Sequence, residues 1–550
     1  MKLKKITALI CAAMLAASAF AGCGSSSDSA DSSAASSAES TAASEASEEA
    51  ETTEAVKGDD VMTIASIQGS ATLDPLNGYD YWYMLRYGVC ETLFKFDENM
   101  TPQSWLAEEE YTLSDDQRTW TFTIKDGITF SNGTEVTADA VKQSIEYALE
   151  NSQVAASYID VETIEADGQT LSITTVDPNP ILIYYMADPI FCIYDVTVDL
   201  TNIADEGPIG TGPFVFESFD VSNGNVSVVR NESYWDGTVA LAGIDFNILT
   251  DPASAYFALS GGTVDAAYGL DMTNVNELTG NSDFNILSVA SGRTDFGFMN
   301  LDGVLEDKVL RQAIMQACDK ETYAESLLLG QFDPGITPLS SALPYGYDEL
   351  TDVNAYDPEN AAKILDEAGY EDTNGDGYRE TPDGEEFEIT ITTFSGRAEI
   401  PTLAAAMQMD CKEVGIHLEI QNLEQSVAWN NLTSGEYEIL LMSISMCPSG
   451  DPAGILQTYF GTYDEENPNY NKSGYSNEEV DALFEELKST FDTDERIEKI
   501  KEIEQLMMDD SACMYLAYPQ LNFCTKATVT GITNTISDYY WVSAETGFTE

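Results

Sequence analysis

Positive charge is scarce in this chain. Against 95 Asp and Glu there are only 24 Lys and Arg, a formal net charge of −71. A nucleic-acid binder needs a basic footprint to displace phosphate counterions, so that class is excluded. Peeling onto anionic lipid through basic patches is excluded for the same reason. Histidine is scarcer still: His417 is the single imidazole. A Ser/His/Asp triad or a His-based metal centre would depend on that one side chain. It stands in VGIHLEI among apolar neighbours, where a structural role is the simpler reading. The nine cysteines include no CxxC pair, so neither a zinc site nor a disulfide framework is indicated. Past the N-terminus, no apolar run is long enough to span a bilayer. Apolar residues as such are plentiful. At 43% hydrophobic and 10% aromatic the chain can build a large core, and 550 residues suggest about two to four domains.

Residues 1–22 read as a secretory signal. Lys2, Lys4 and Lys5 form a positive start, and Ile6–Phe20 is an apolar stretch too short to cross a membrane. The segment ends Phe20-Ala21-Gly22-Cys23, which resembles the bacterial lipobox, where small residues precede a Cys that is diacylated and becomes the mature N-terminus. The alternative is an ordinary cleaved signal. Residues 23–60 follow as an acidic Ser/Ala-rich segment without aromatics, which cannot pack a core and reads as a disordered tether. Cys23 is therefore the expected lipidation site, and the extracytoplasmic face of the membrane the expected location. With Cys11 in the signal and Cys23 acylated, seven scattered cysteines remain, most of them expected as small buried hydrophobes. One disulfide stays open.

From Val61 onward, short β-rich runs alternate with amphipathic helical ones, which indicates an α/β class. In RTWTFTI, Trp120, Phe122 and Ile124 alternate as in a half-buried strand. Thr137–Glu150 opens with a Thr N-cap and repeats Val141, Ile145, Ala148 and Leu149 at helical spacing. Asp357–Tyr370 reads as a helix with Pro358 in its first turn and Gly369 just past its end. IPTLAAAMQMDCKEVGIHLEIQNL reads as helix, Gly415 stop, then strand. GPIGTGP lacks the GK[ST] of a phosphate loop and reads as a tight turn.

Taken in order, several segments carry a resemblance. They are LDPL (73–76), Val89–Gly133, PIGTGPF (208–214), VRNESYWDG (229–237), DKVLRQAIMQACDKETY (307–323), YDPENAAKILDEAGY and NKSGYSNEEVDALF (471–484). Together they resemble the family 5 solute-binding lipoproteins of bacterial ABC importers, the group that takes peptides and nickel chelates. The resemblance implies a two-lobed periplasmic-binding-protein fold that closes over a small solute and delivers it to an ABC permease. Lobe I is expected at 61–293 plus 516–550, with an extra subdomain at about 98–206, and lobe II at 294–515. The protein is then expected to be a monomeric binding protein and not an enzyme, requiring no cofactor.

Within that frame, the run NGYDYWYMLRYG should face the cleft, making Tyr79, Trp82 and Tyr83 candidate ligand contacts. Met446 and Cys447 should border the pocket. In peptide-binding members, an Asp three residues before an Asp-Pro pair holds the ligand's amine; here that position is Pro448, before Asp451-Pro452. In nickel-chelate members, two arginines grip the chelator, whereas Val154 and Asp188 stand there. Asp188 would favour a cationic group, and Arg397 remains as a carboxylate anchor or a salt-bridge partner of nearby acids. The expected solute is a short peptide or peptide-like amine, the alternative a nickel or metal chelate; from other classes, a surface sensor or a hydrolase would reuse the fold.

One local motif points elsewhere. In DTNGDGYRETPD, Asp372, Asn374, Asp376, Tyr378 and Asp383 match positions 1, 3, 5, 7 and 12 of a calcium loop, with Gly377 at the turn and Glu380 at position 9. The alternative to a structural calcium is an acidic turn rich in Asp, Asn and Gly.

Overall fold

A computed structural model describes residues 57–465 and 468–549. The signal, most of the tether and Cys23 lie outside the described residues.

Local rules place the elements. The helix Ala138–Asn151 starts where the Thr137 side chain accepts from Ala140 N–H, and it buries Val141, Ile145 and Ala148. The helix Pro358–Ala368 is capped by Asp357 and ended by Gly369 at φ 91°, a left-handed conformation that glycine adopts freely. Glu399–Glu413 is helical, Gly415 turns the chain, and Leu418–Leu423 is a strand. The strand Thr119–Thr123 buries Trp120 and Phe122 while its other side chains face outward.

The strands assemble into one continuous sheet with two halves. Its order is Leu418–Leu423, Ile389–Phe394, Ile439–Ser445, Arg293–Met299, Cys513–Lys526, Ala266–Tyr268, Val61–Ser66, Gly243–Ile248, Asn225–Arg230 and Phe214–Asp220. The long strand Cys513–Lys526 joins the halves. Up to Pro519 it pairs with Arg293–Met299 and Phe332–Pro334; from Gln520 it pairs with Phe284–Ala290 and Ala266–Tyr268. The chain crosses back between Ala290 and Arg293. Two lobes linked by two crossing segments follow directly from this pairing.

A separate antiparallel sheet, made of Thr112–Leu113, Thr119–Thr123, Thr170–Thr175 and Val161–Asp167, forms a subdomain on the first lobe, covered by the helix Ala138–Asn151. The turn Gly207–Pro213 fastens this subdomain to the lobe by close backbone approach. A Cβ at Gly210 would lie 2.1 Å from the Val89 carbonyl oxygen, and one at Gly212 would lie 2.3 Å from that of Gly88. Only glycine fits there.

The interlobe cleft

The lobes meet in a closed arrangement. Ser449 Oγ of the second lobe donates to Asp188 Oδ2 of the first (2.8 Å), and Tyr539 Oη donates to the Pro448 carbonyl (2.8 Å). Trp120 of the subdomain stacks on Phe491, ring centroids 6.3 Å apart. A cavity of about 290 Å³ opens between the loop 177–181 with Tyr185 on one side and Ala453, Gln457, Lys488 and Arg496 on the other.

Charge gathers where the strands of the second lobe end. Ile389–Phe394 runs parallel to both its neighbours, and Arg397 follows its carboxyl end, just before the helix Glu399–Glu413. Arg293 opens a strand antiparallel to Ile439–Ser445 and opposite Ser445, which puts it at the same edge. The carboxyl edge of parallel strands is where α/β folds place ligands. Four charged residues meet there: Arg293, Asp295, Arg397 and Glu399. Arg397 Nη1 pairs with Glu399 Oε1 at 3.2 Å, and Glu399 is buried while Arg397 is 36% exposed at its side chain. Arg293 donates from Nη1 to the Ser443 carbonyl (2.8 Å). Burial, and next the neighbouring Arg397 guanidinium, lower the Arg293 pKa, while Asp295 and Glu399 oppose that shift. Asp295 is fully buried beside Ser443, yet neither its oxygens nor the Ser443 hydroxyl makes a hydrogen bond of full geometry. Burial first, and then the Glu399 charge, push its carboxyl well above the usual range. Two arginines thus stand at one edge of the sheet with spare guanidinium donors, an arrangement suited to an incoming carboxylate.

The first lobe contributes a cluster of aromatics. Tyr79 is 47% exposed, with its ring 5.1 Å from that of half-buried Trp82, which in turn lies 5.9 Å from Tyr539. Tyr459 of the second lobe feels both Tyr79 and Arg293: burial and Tyr470 raise its phenol pKa, Tyr79 adds to this, and Arg293 opposes it. Tyr79 and Arg397 both keep exposed surface, and Trp82 is half-buried.

The other predicted contacts lie deeper. Tyr83 is buried against Arg86, whose guanidinium carbon sits 4.9 Å from the ring centre. Arg86 itself is tied to Asp538 at 2.7 Å, anchoring the C-terminal segment to the first lobe. Asp188 is 1% exposed with both oxygens engaged, Oδ1 by Ile190 N–H and Oδ2 by Ser449; burial raises its carboxyl pKa to about 6. Met446 is fully buried and bonds through its N–H to the Gly292 carbonyl, and Cys447 packs on Gly292 at the crossing. Asp451 is structural: it accepts from Ala453 N–H at the start of the helix Ala453–Phe460, and it pairs with buried Arg496 at 2.7 Å. Arg293, Asp295, Glu399, Tyr459, Ser449 and Tyr539 escaped the sequence reading. A signal existed for two of them, since SGRTDFGF places an Arg and an Asp at the start of an otherwise apolar strand.

The acidic loop is an exposed turn. Asp372 accepts from Gly375 and Gly377 N–H, and Asp376 accepts from Tyr378 N–H. Glu380 is buried and accepts from Thr373 N–H. Asp383 lies on the exposed turn that follows. Among the described residues no three His, Cys, Asp or Glu side chains converge as a metal site. His417 stacks on Tyr378, centroids 4.2 Å apart, with Glu388 at 3.6 Å. No helix among the described residues is long and apolar enough to cross a membrane.

The comparisons agree with this architecture. The chain is 26% identical over 435 residues to the nickel-binding protein NikA of Staphylococcus aureus, covering 79% of this chain and 84% of that one. It is 25% identical over 456 residues to the oligopeptide-binding protein AppA of Bacillus subtilis, covering 80% and 82%. The crystal structure of a nickel ABC transporter protein from Bacillus halodurans superposes with a TM-score of 0.77 at 29% identity, over 89% of this chain and all of that one. Such relatives are transport binding proteins and not enzymes. Residues 101–467 match the model of the bacterial extracellular solute-binding proteins, family 5, and the chain belongs to that family.

Proposed function

We propose that this protein is the lipid-anchored receptor of an ABC importer, held at the outer face of the membrane through Cys23. It captures a short peptide or peptide-like solute bearing both a carboxylate and an amine. The observation that carries this reading is the Arg293–Arg397 pair at the strand-end edge of the cleft, conspicuous in a chain of −71 net charge. The solute's carboxylate is taken by the Arg397 fork with Arg293 behind it. Its amine lies over the rings of Tyr79 and Trp82, whose faces attract cations. Closure then brings Ser449 to Asp188 and Pro448 to Tyr539, so that ligand binding favours the closed state through contacts the open state lacks. The mechanism is binding and hinge closure, followed by delivery to the permease.

A second reading, a nickel chelate built from carboxylate ligands, is favoured by the nickel-binding relatives from Staphylococcus aureus and Bacillus halodurans. A thermal-shift screen separates the two, because a ligand raises the melting temperature according to its occupancy. The probes are di- to hexapeptides, free amino acids, and nickel with and without histidine. Peptides that raise the melt while nickel–histidine leaves it unchanged support the first reading; the reverse overturns it. Millimolar calcium in the same melts tests the loop Asp372–Asp383: a rise marks a structural ion, and an unchanged melt removes it.

A further inference from the structure

The seven cysteines among the described residues are all buried and stand as free thiols, yet they are not distributed at random. Four of them lie as two pairs on neighbouring segments. In the first lobe, Glu91 and Ile193 make an isolated antiparallel bridge, with Ile193 N–H donating to the Glu91 carbonyl at 2.8 Å. In that antiparallel register Cys90 lies opposite Tyr194 and Cys192 opposite Thr92, so the two cysteines are diagonal neighbours whose side chains share one face. The Cys90 thiol is held well above its ordinary pKa by burial and by the Cys192 sulfur beside it. In the second lobe, Cys318 ends the helix Lys308–Ala317, and Cys411 lies in the last turn of Glu399–Glu413. The residues next to them are tied, Asp319 N–H to Asp410 Oδ2 at 3.2 Å. The Cys411 thiol is raised by the Cys318 sulfur beside it and by burial.

The other three thiols have different surroundings. Cys513 donates to the Gly297 carbonyl at 3.2 Å, Cys447 packs at the Gly292 crossing, and Cys524 sits in an apolar cluster with Ala65 and Leu259.

We propose that these pairs close as disulfides, Cys90–Cys192 within the first lobe and Cys318–Cys411 within the second, when the chain folds in an oxidising compartment. The compartment, though not the pairing, rests on the extracellular location of the family. Each bond forms by exchange with an external disulfide such as glutathione disulfide. One cysteine thiolate attacks it, a mixed disulfide forms, and the second thiolate displaces the remaining glutathione. Per bond, the protein loses two electrons and two protons, and two glutathione thiols carry them away. Because all four sulfurs are buried in the finished fold, the exchange takes place during folding. Neither bond spans the cleft, so both lobes are stapled while the hinge stays free.

The test is a peptide map of the full chain folded in a glutathione/glutathione-disulfide buffer, unfolded in guanidinium with N-ethylmaleimide and no reductant, and digested. Linked peptides Cys90–Cys192 and Cys318–Cys411 are expected, with label on Cys447, Cys513 and Cys524. Label on all seven, or linkage to other partners, overturns the pairing. Cys90→Ser and Cys318→Ser should each release only their own partner to the label; release of the other pair counts against two independent bonds. The wild-type map decides alone if a variant fails to fold. The same map on protein taken from the cell surface tests the compartment: bonds present in the buffer but absent there uphold the pairing and overturn the oxidising location. Neither result depends on which solute shifts the melt.

Discussion

Arg397 stands where a guanidinium can meet a ligand without leaving its own partner stranded. Glu399 holds one of its nitrogens, and the side chain stays 36% exposed. Replacing Arg397 by Ala removes a charge-assisted hydrogen bond, expected to be worth about 1.5–3 kcal/mol, or roughly tenfold to 150-fold in affinity. Lys should recover only part of this, because it keeps the charge and loses the planar fork. Isothermal titration with the solute found by the melt screen checks both, and unchanged affinity in the Ala variant rejects the anchor. At this scale sequence reading had mixed reach. Arg397 stood out because positive charge is rare. Arg293 is marked locally only by its place at the start of an apolar strand: its neighbours Arg397, Ser443 and Glu399 come from segments about 100 to 150 residues away in the chain.

At the level of elements, Glu91 shows how a buried acid can pin loops together. It is 1% exposed and accepts from Thr211 Oγ1 (2.7 Å), Tyr234 Oη (2.8 Å) and Trp235 Nε1 (2.8 Å), joining the PIGTGPF turn and the VRNESYWDG segment to the base of the subdomain. Burial pushes its carboxyl up to about 7 from an ordinary 4.5, against the pull of the three donors. Below about 4.5 the folded and unfolded chains both hold this proton, whereas between about 4.5 and 7 only the folded chain does. The contribution of Glu91 to stability is therefore complete at the acid end and is lost as pH rises through about 7. Glu91→Gln, which keeps an acceptor and cannot titrate, should flatten that part of the melting-temperature profile. An unaltered profile would sink the assignment. The helices and strands themselves were legible beforehand, because caps, glycine stops and apolar periods act within a few residues: Thr137, Pro358, Gly369 and Gly415 all do what their positions imply.

For the whole molecule, the question is what holds the lobes closed. The hydrogen bond from Ser449 to Asp188 and that from Tyr539 to Pro448 both cross the cleft. Ser449→Ala leaves a buried carboxylate oxygen without its donor in the closed state only, a cost of about 1–3 kcal/mol. That cost falls on the closed state, so ligand affinity should drop by roughly fivefold to 150-fold, mainly through faster release, while the unliganded radius of gyration shifts toward the open form. Stopped-flow release and small-angle scattering measure these, and an unchanged off-rate would reject the latch. The sequence reading gave Asp188 to the ligand; the fold spends both its oxygens on Ile190 and Ser449.

Composition alone excluded a basic footprint, a histidine-based centre and wholesale disorder, since each depends only on which residues are present. Caps, stops and alternation also decided the elements, because their physics is short-ranged. The crossing of the long strand Cys513–Lys526 between lobes, the placing of Arg293 and Arg397 at one sheet edge, the Ser449–Asp188 contact and the neighbouring cysteines belong to the tertiary structure. Each joins residues about 90 to 260 positions apart, and such contacts exist only once the whole sheet has chosen its strand order and register.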